Sequence, residues 1–141
     1  MSSYLDTSVI VASLTRESGT SPAQRIIADA EGPHISDWVT TECSAALSFK
    51  VRIGALPGEE RQRAWANFER MRSTFETLQV LRADFELAAE LAAMPGMTVR
   101  GADALHLAIA TRREMTLVTL DKRLSAAAAS AKCRYLLLIA D

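Results

Sequence analysis

Residues 3–15 read SYLDTSVIVASLT: a very short strand runs into Asp6, and a helix follows at once. Residues 3–6 make the expected strand. Thr7 or Ser8 is placed to cap the helical run VIVASLT, because a short hydroxyl side chain satisfies the orphan amides of a first turn. The same succession recurs later, with MTLVTL (115–120) as strand, DKRLSAAAASA (121–131) as helix and Asp121 at the junction.

The chain between and beyond these two junctions alternates in the same way. SPAQRIIADAEG (21–32) is an expected helix, with Pro22 near its first turn and Gly32 as a stop. PHIS (33–36) is a short buried strand, and 37–53 a longer helix ending at Gly54. Val39, Glu42, Cys43, Ala46, Phe49 and Ile53 recur along that helix at three- and four-residue spacing, on one side. After the breaker Pro57-Gly58, residues 59–76 form a polar helix with Trp65, Phe68, Met71 and Phe75 as its apolar stripe. TLQVL (77–81) is a strand and 83–94 a helix closed by Pro95-Gly96. Residues 101–113 are apolar nearly all round, the mark of a central buried helix. RYLLLI (134–139) is the last strand.

Strands alternating with helices require a mainly parallel sheet covered on both faces by right-handed crossovers. The strands read as near-continuous apolar runs, as burial on both sides demands. The expected fold is therefore an α/β three-layer sandwich with about five strands, one domain over residues 1–141. In such sheets the functional crevice lies beyond the carboxyl ends of the strands, near the point where strand order reverses.

Composition narrows the function. The chain is 49% hydrophobic and 23% charged, which excludes disorder. With 16 basic and 17 acidic residues the net charge is −1, so no global field draws it onto a polyanion or a membrane surface. Polyanion binding would need a local patch or a bound metal. Cys43 and Cys133 stand in no paired metal-ligand or redox spacing, which fits a reduced, cytoplasmic protein. Residues 1–17 lack a basic leader and Asp6 interrupts their apolar run, so no signal peptide is expected. No apolar run is long enough to span a bilayer.

Four acids fall at the tops of elements. Asp6 and Asp121 end strands, Asp103 sits in the first turn of the most apolar helix, and Glu42 lies on the apolar side of its helix. Each has a plain structural reading. Asp6 and Asp121 can cap helices, and Asp103 suits the positive end of a helix dipole. Glu42 needs an arginine, a hydrogen-bond network or a cation, because an unanswered carboxylate on an apolar face is costly to desolvate. Together the four repel unless a cation is present, and hard divalent ions such as Mg²⁺ or Mn²⁺ take carboxylate oxygens.

YLDTSVIVASL, the TTE of the third helix, GADALHLAIA and LVTLDKRL resemble, in order and placement, the motifs of PIN-domain nucleases, most of all the VapC-type toxins of prokaryotic toxin–antitoxin pairs. The resemblance implies a five-stranded parallel sheet and a Mg²⁺- or Mn²⁺-dependent endoribonuclease cutting tRNA, rRNA or mRNA. It implies Asp6, Glu42, Asp103 and Asp121 as the catalytic and metal-binding quartet, with Ser8 and Thr119 as supporting hydroxyls. It further implies homodimers and a small antitoxin.

Other charged residues are weighed by position. His106, one turn after Asp103, is expected to be packed and hydrogen-bonded, and His34 structural. Arg61, Arg63, Arg70 and Arg72 alternate with glutamates as a solvated, self-paired face. Lys50, Arg52, Arg100, Lys122 and Arg123 are the expected RNA contacts. A haloacid-dehalogenase phosphatase would need a second aspartate at position 8, where Ser8 stands. A non-catalytic PIN-like binding module would show a broken quartet. A nuclease of RNA maturation differs from a toxin in genomic context rather than in residues.

Overall fold

A computed structural model describes residues 2–29 and 31–141. Met1, and Ala30 within the helix expected over 21–32, lie outside the described residues. The elements in chain order are β1 (Ser3–Leu5), α1 (Thr7–Leu14), α2 (Thr20–Asp29), β2 (His34–Ser36), α3 (Asp37–Arg52) and α4 (Gly58–Thr74). They continue as β3 (Glu76–Leu78), α5 (Arg82–Ala93), α6 (Gly101–Arg112), β4 (Thr116–Thr119), α7 (Lys122–Ser130) and β5 (Tyr135–Leu137).

All neighbouring strands pair in parallel, in the order β3-β2-β1-β4-β5. The chain therefore starts in the middle, winds outward through β2 to β3, then crosses back to β4 beside β1. Right-handed crossovers put the helices of the outward run on one face and those of the return on the other. The packing agrees: α1 lies against α2, α3 and α4, while α6 lies against α5 and α7. The reversal of strand order falls between β1 and β4, so the residues just after these strands share the crevice that this topology opens. Those residues are Asp6 and Leu120-Asp121.

Tyr4, Leu5, Ile10, Ile35, Leu47, Phe68, Leu107, Ile109, Leu117 and Leu124 fill the interior without measurable exposure. Each such side chain contributes roughly 1.5–3 kcal/mol by leaving water. α6 is the buried central helix that its composition demands, with every residue from 104 to 110 buried.

Several local expectations shift. The cap of α1 is Asp6 rather than Thr7 or Ser8, which already stand inside the helix: the Asp6 carboxylate accepts the Val9 N–H at 3.2 Å. On α3 the buried stripe is Val39, Cys43 and Leu47, whereas Phe49 and Ile53 are 55% and 60% exposed. A strict four-residue step keeps one line of side chains against the sheet, and Phe49 and Ile53 have drifted off it. β3 and β5 are the edges of the sheet and are partly exposed, so two-sided burial holds for the inner strands only.

Candidate active site

Four elements deliver the four acids. Asp6 follows β1 and Asp121 follows β4, each fixed as the N-cap of the next helix. Glu42 comes from the second turn of α3 and Asp103 from the first turn of α6. The capping readings of Asp6 and Asp121 are thus correct as geometry.

Asp6 is the most constrained. It is 3% exposed, and Ser8 Oγ donates to its Oδ1 at 2.6 Å while Thr119 Oγ1 donates to its Oδ2 at 2.5 Å. Both hydroxyls singled out in the sequence therefore meet the same carboxylate. Burial raises the Asp6 carboxyl above its ordinary range, and His106, these two hydroxyls and the Val9 amide pull back against it. Thr119 serves a second group, accepting the Asp121 N–H at 2.9 Å. Thr119→Val keeps the shape but strips both bonds, leaving the half-buried Asp121 amide and the buried Asp6 carboxylate each short of a partner. The expected cost is about 1–2 kcal/mol, read as a lower urea midpoint with an unchanged slope.

Glu42 finds the network that its apolar position requires. Thr7 Oγ1 donates to its Oε1 at 2.7 Å, and His106 Nε2 meets the same oxygen at 2.5 Å. Burial alone would raise the Glu42 carboxyl, but His106 and the Thr7 hydroxyl outweigh it and hold it below the usual carboxylate range. Asp103 has no such relief. Burial pushes its carboxyl up and the Asp121 charge adds to that; His106 opposes, and Asp6 and Glu42 add the rest. Asp103 thus feels the charge of each of the other three acids.

Among the described residues, no three His, Cys, Asp or Glu side chains converge tightly enough to hold a metal ion between them. The anchors above explain it: Glu42 is held by Thr7 and His106, Asp6 by its three donors, and Asp121 by the Arg123 and Leu124 amides. The chemistry of the donor set still fits a hard divalent cation, because carboxylate oxygens are its preferred ligands and the charges of Asp121, Asp6 and Glu42 all weigh on Asp103.

The basic residues divide. Arg100 and Arg123 line a cleft of about 260 Å³ together with Asp103, Asp121, Thr98 and Val99. Lys50 is instead paired with Glu17 at 3.0 Å, and Arg52 is exposed at the end of α3. With Arg63 and Arg16, Lys50 lines another cleft to which none of the four acids contributes. Arg72 keeps to the self-paired face expected of α4, and Arg61 leaves it. Arg61 donates to Ser44 and Ser48 on α3, and Arg72 pairs with Glu69 while reaching Thr40. His34 stands beside Glu76, 3.2 Å away, tying β2 to the edge strand.

An all-parallel sheet with acids from four elements at its switch point defines an α/β domain with an acidic crevice. The chain belongs to the PIN domain family, which it matches over residues 3–130. Its fold is similar to that of FitAcB from Neisseria gonorrhoeae, at 17% identity, a TM-score of 0.75 and coverage of 95% of this chain and 96% of that one. It is also similar to VapC20 of Mycobacterium tuberculosis, described as a sarcin–ricin-loop-cleaving toxin (20% identity, TM-score 0.69, 89% and 94% coverage). A third likeness is to VapBC2 from Rickettsia felis bound to a DNA fragment from their promoter (17% identity, TM-score 0.70, 99% and 100% coverage). No curated protein matches the sequence significantly.

Proposed function

We propose that this PIN-domain chain is a Mg²⁺- or Mn²⁺-dependent endoribonuclease and the toxin of a toxin–antitoxin pair. One observation carries the proposal: four separate elements bring carboxylates to the switch point of a parallel sheet, where Asp103 feels the charge of Asp6, Glu42 and Asp121. Asp6 and Asp103 would be the core holders of the cation, with Glu42 and Asp121 acting directly or through water. When bound, the cation would activate a water and steady charge on the scissile phosphate.

The chain's own residues do the remaining work. Ser8, Thr119 and the Val9 amide hold Asp6 in one orientation. Arg100 and Arg123 put positive charge beside Asp103 and Asp121, where the phosphates of an RNA strand can be held. That local pair, with the cation, compensates for a net charge of −1. The toxin role is supported by likeness to a sarcin–ricin-loop-cleaving toxin and to toxin–antitoxin assemblies. It brings with it an RNA substrate, a cognate antitoxin, a homodimer and a cytoplasmic setting. Among the described residues, no helix is long and apolar enough to cross a membrane.

The purified chain is expected to cut single-stranded RNA in Mn²⁺, to stop on chelation and to resume when Mn²⁺ is restored. Induced expression is expected to arrest growth. Cleavage that survives chelation overturns the metal dependence, and a chain that cuts no RNA overturns the nuclease assignment.

A further inference from the structure

The floor of the site holds a polar chain that neither capping nor core packing accounts for. Ser36 Oγ and Tyr4 OH lie 2.8 Å apart, and Tyr4 OH and His106 Nδ1 also lie 2.8 Å apart. His106 Nε2 then reaches Glu42 Oε1. Ser36, Tyr4 and His106 are all buried, and they come from β2, β1 and α6, so the imidazole is clamped at both ring nitrogens by elements of the rigid core.

Because the ionised carboxylate only accepts, Nε2 carries the hydrogen whether the ring is neutral or charged. Thr7 and His106 both address Oε1, leaving Oε2 with no hydrogen-bond donor from the described residues. Glu42 itself is 24% exposed in its side chain, so its free oxygen belongs to the solvent side of the site.

We propose that His106 is a positioning residue for Glu42: anchored through Tyr4 and Ser36, it fixes one carboxylate oxygen and presents the other to the cation. This rests on the ribonuclease proposal above. Outer partners of this kind orient a ligand without touching metal or substrate. They narrow the orientations an otherwise mobile glutamate explores, so the entropy of holding it is met before the cation arrives.

Two amides separate the roles of the ring nitrogens. In His106→Gln the amide nitrogen reaches as far as Nε2, keeping a donor for Glu42 and giving up Tyr4. In His106→Asn the amide reaches only as far as Nδ1, keeping Tyr4 and abandoning Glu42. Calorimetric titration of the metal-free protein with Mn²⁺ reads the difference without any turnover. His106→Asn is expected to weaken Mn²⁺ binding by about tenfold to 100-fold, and His106→Gln by no more than about threefold. RNA cleavage at saturating Mn²⁺ should follow the same order. In a Glu42→Gln background, His106→Asn should add no further loss, since the residue it serves is already gone.

A purely structural histidine predicts otherwise: both amides lower thermal stability while Mn²⁺ binding stays as in the parent, and that result overturns the proposal. Additive losses in the Glu42→Gln background overturn it as well. Should His106→Asn fail to fold, His106→Leu removes the Glu42 donor while filling the buried position with an apolar side chain of similar size. Mn²⁺ binding must then still weaken, and unchanged binding sinks the idea. A parent chain that neither binds Mn²⁺ nor cuts RNA sinks the ribonuclease proposal together with this one. A fully active parent with an indifferent His106→Asn sinks the positioning role alone.

Discussion

Asp6→Asn is expected to abolish RNA cleavage, a loss of about 10³-fold or more in kcat of the kind seen when one member of a coupled site is removed, while leaving the melting temperature of the metal-free protein unchanged or higher. The two halves of this expectation have separate causes. Activity goes because Asp6 is the acid nearest the strand reversal and the one held from most directions, by Ser8, Thr119 and Val9. An amide carries no charge for a cation.

Stability survives because asparagine caps a helix as well as aspartate does, so the Val9 N–H keeps its acceptor. The new amide N–H₂ can donate to Thr119, whose hydroxyl oxygen has a second lone pair. Burial raises the Asp6 carboxyl in the folded state, so the fold retains a proton there that the unfolded chain releases at lower pH. Stability is then highest below the unfolded value and falls as pH rises through the folded one. Removing the charge relieves that penalty at neutral pH. Thermal unfolding and a cleavage assay on the same preparation check both halves. A clear drop in melting temperature would mean that the carboxylate is chiefly a structural partner.

Asp84→Asn should produce the largest loss of stability, about 3 kcal/mol, or roughly 10 °C in melting temperature. Asp84 is fully buried and holds three elements together. Its Oδ1 accepts from Arg112 at 2.7 Å and Arg113 at 2.8 Å, and its Oδ2 accepts from Arg113 at 3.1 Å and from the Leu81 N–H at 2.8 Å. Arg113 also donates to the carbonyls of Ile109 and Gln79, so the start of α5, the end of α6 and the segment after β3 meet at one carboxylate. Removing that charge leaves two guanidinium groups facing a neutral amide. Both arginines keep some access to water, which places the cost at the lower end for a broken buried pair.

Acid should erase much of the difference. Burial raises the Asp84 carboxyl, but the Arg113 hydrogen bonds, the Leu81 amide and Arg112 outweigh it and bring it down to about 2. Between the unfolded value of 3.8 and about 2 the unfolded chain binds the extra proton, so stability falls as pH falls through that window. The shift corresponds to about 2 kcal/mol. Urea unfolding of parent and variant at neutral pH, and again near the bottom of that window, measures the convergence. Parallel curves at both pH values would show that the ion pairs carry little of the stability.

The site was legible in the sequence to an uneven degree. Asp6, Asp103 and Asp121 stood out because each sits where a strand or helix begins or ends, and such places are marked by neighbours in the chain. Asp84 carried a signal as well: with Ala88 and Leu91 it lies on the buried side of α5, where an acid must have a partner. Naming Arg113 as that partner needed the fold. Glu42 showed the same split. Its need for an answer was readable from its place among apolar residues, but the answer is His106, 64 residues on.

What the sequence by itself determined was the run of elements, their parallel arrangement in a sheet covered on both faces, and the placing of acids at one edge. Those follow from periodicity, caps and breakers, which act over a few residues of chain. Tertiary structure alone decided that β4 docks beside β1, that Ser8 and Thr119 both serve Asp6, and that Tyr4 and Ser36 anchor the ring behind Glu42. It also decided that Leu47 rather than Phe49 or Ile53 faces the core, and that Lys50 answers Glu17 instead of approaching the acids. Each of these joins residues distant in the chain or depends on how an element is rotated against its neighbours, which the local pattern leaves open until the whole core is packed.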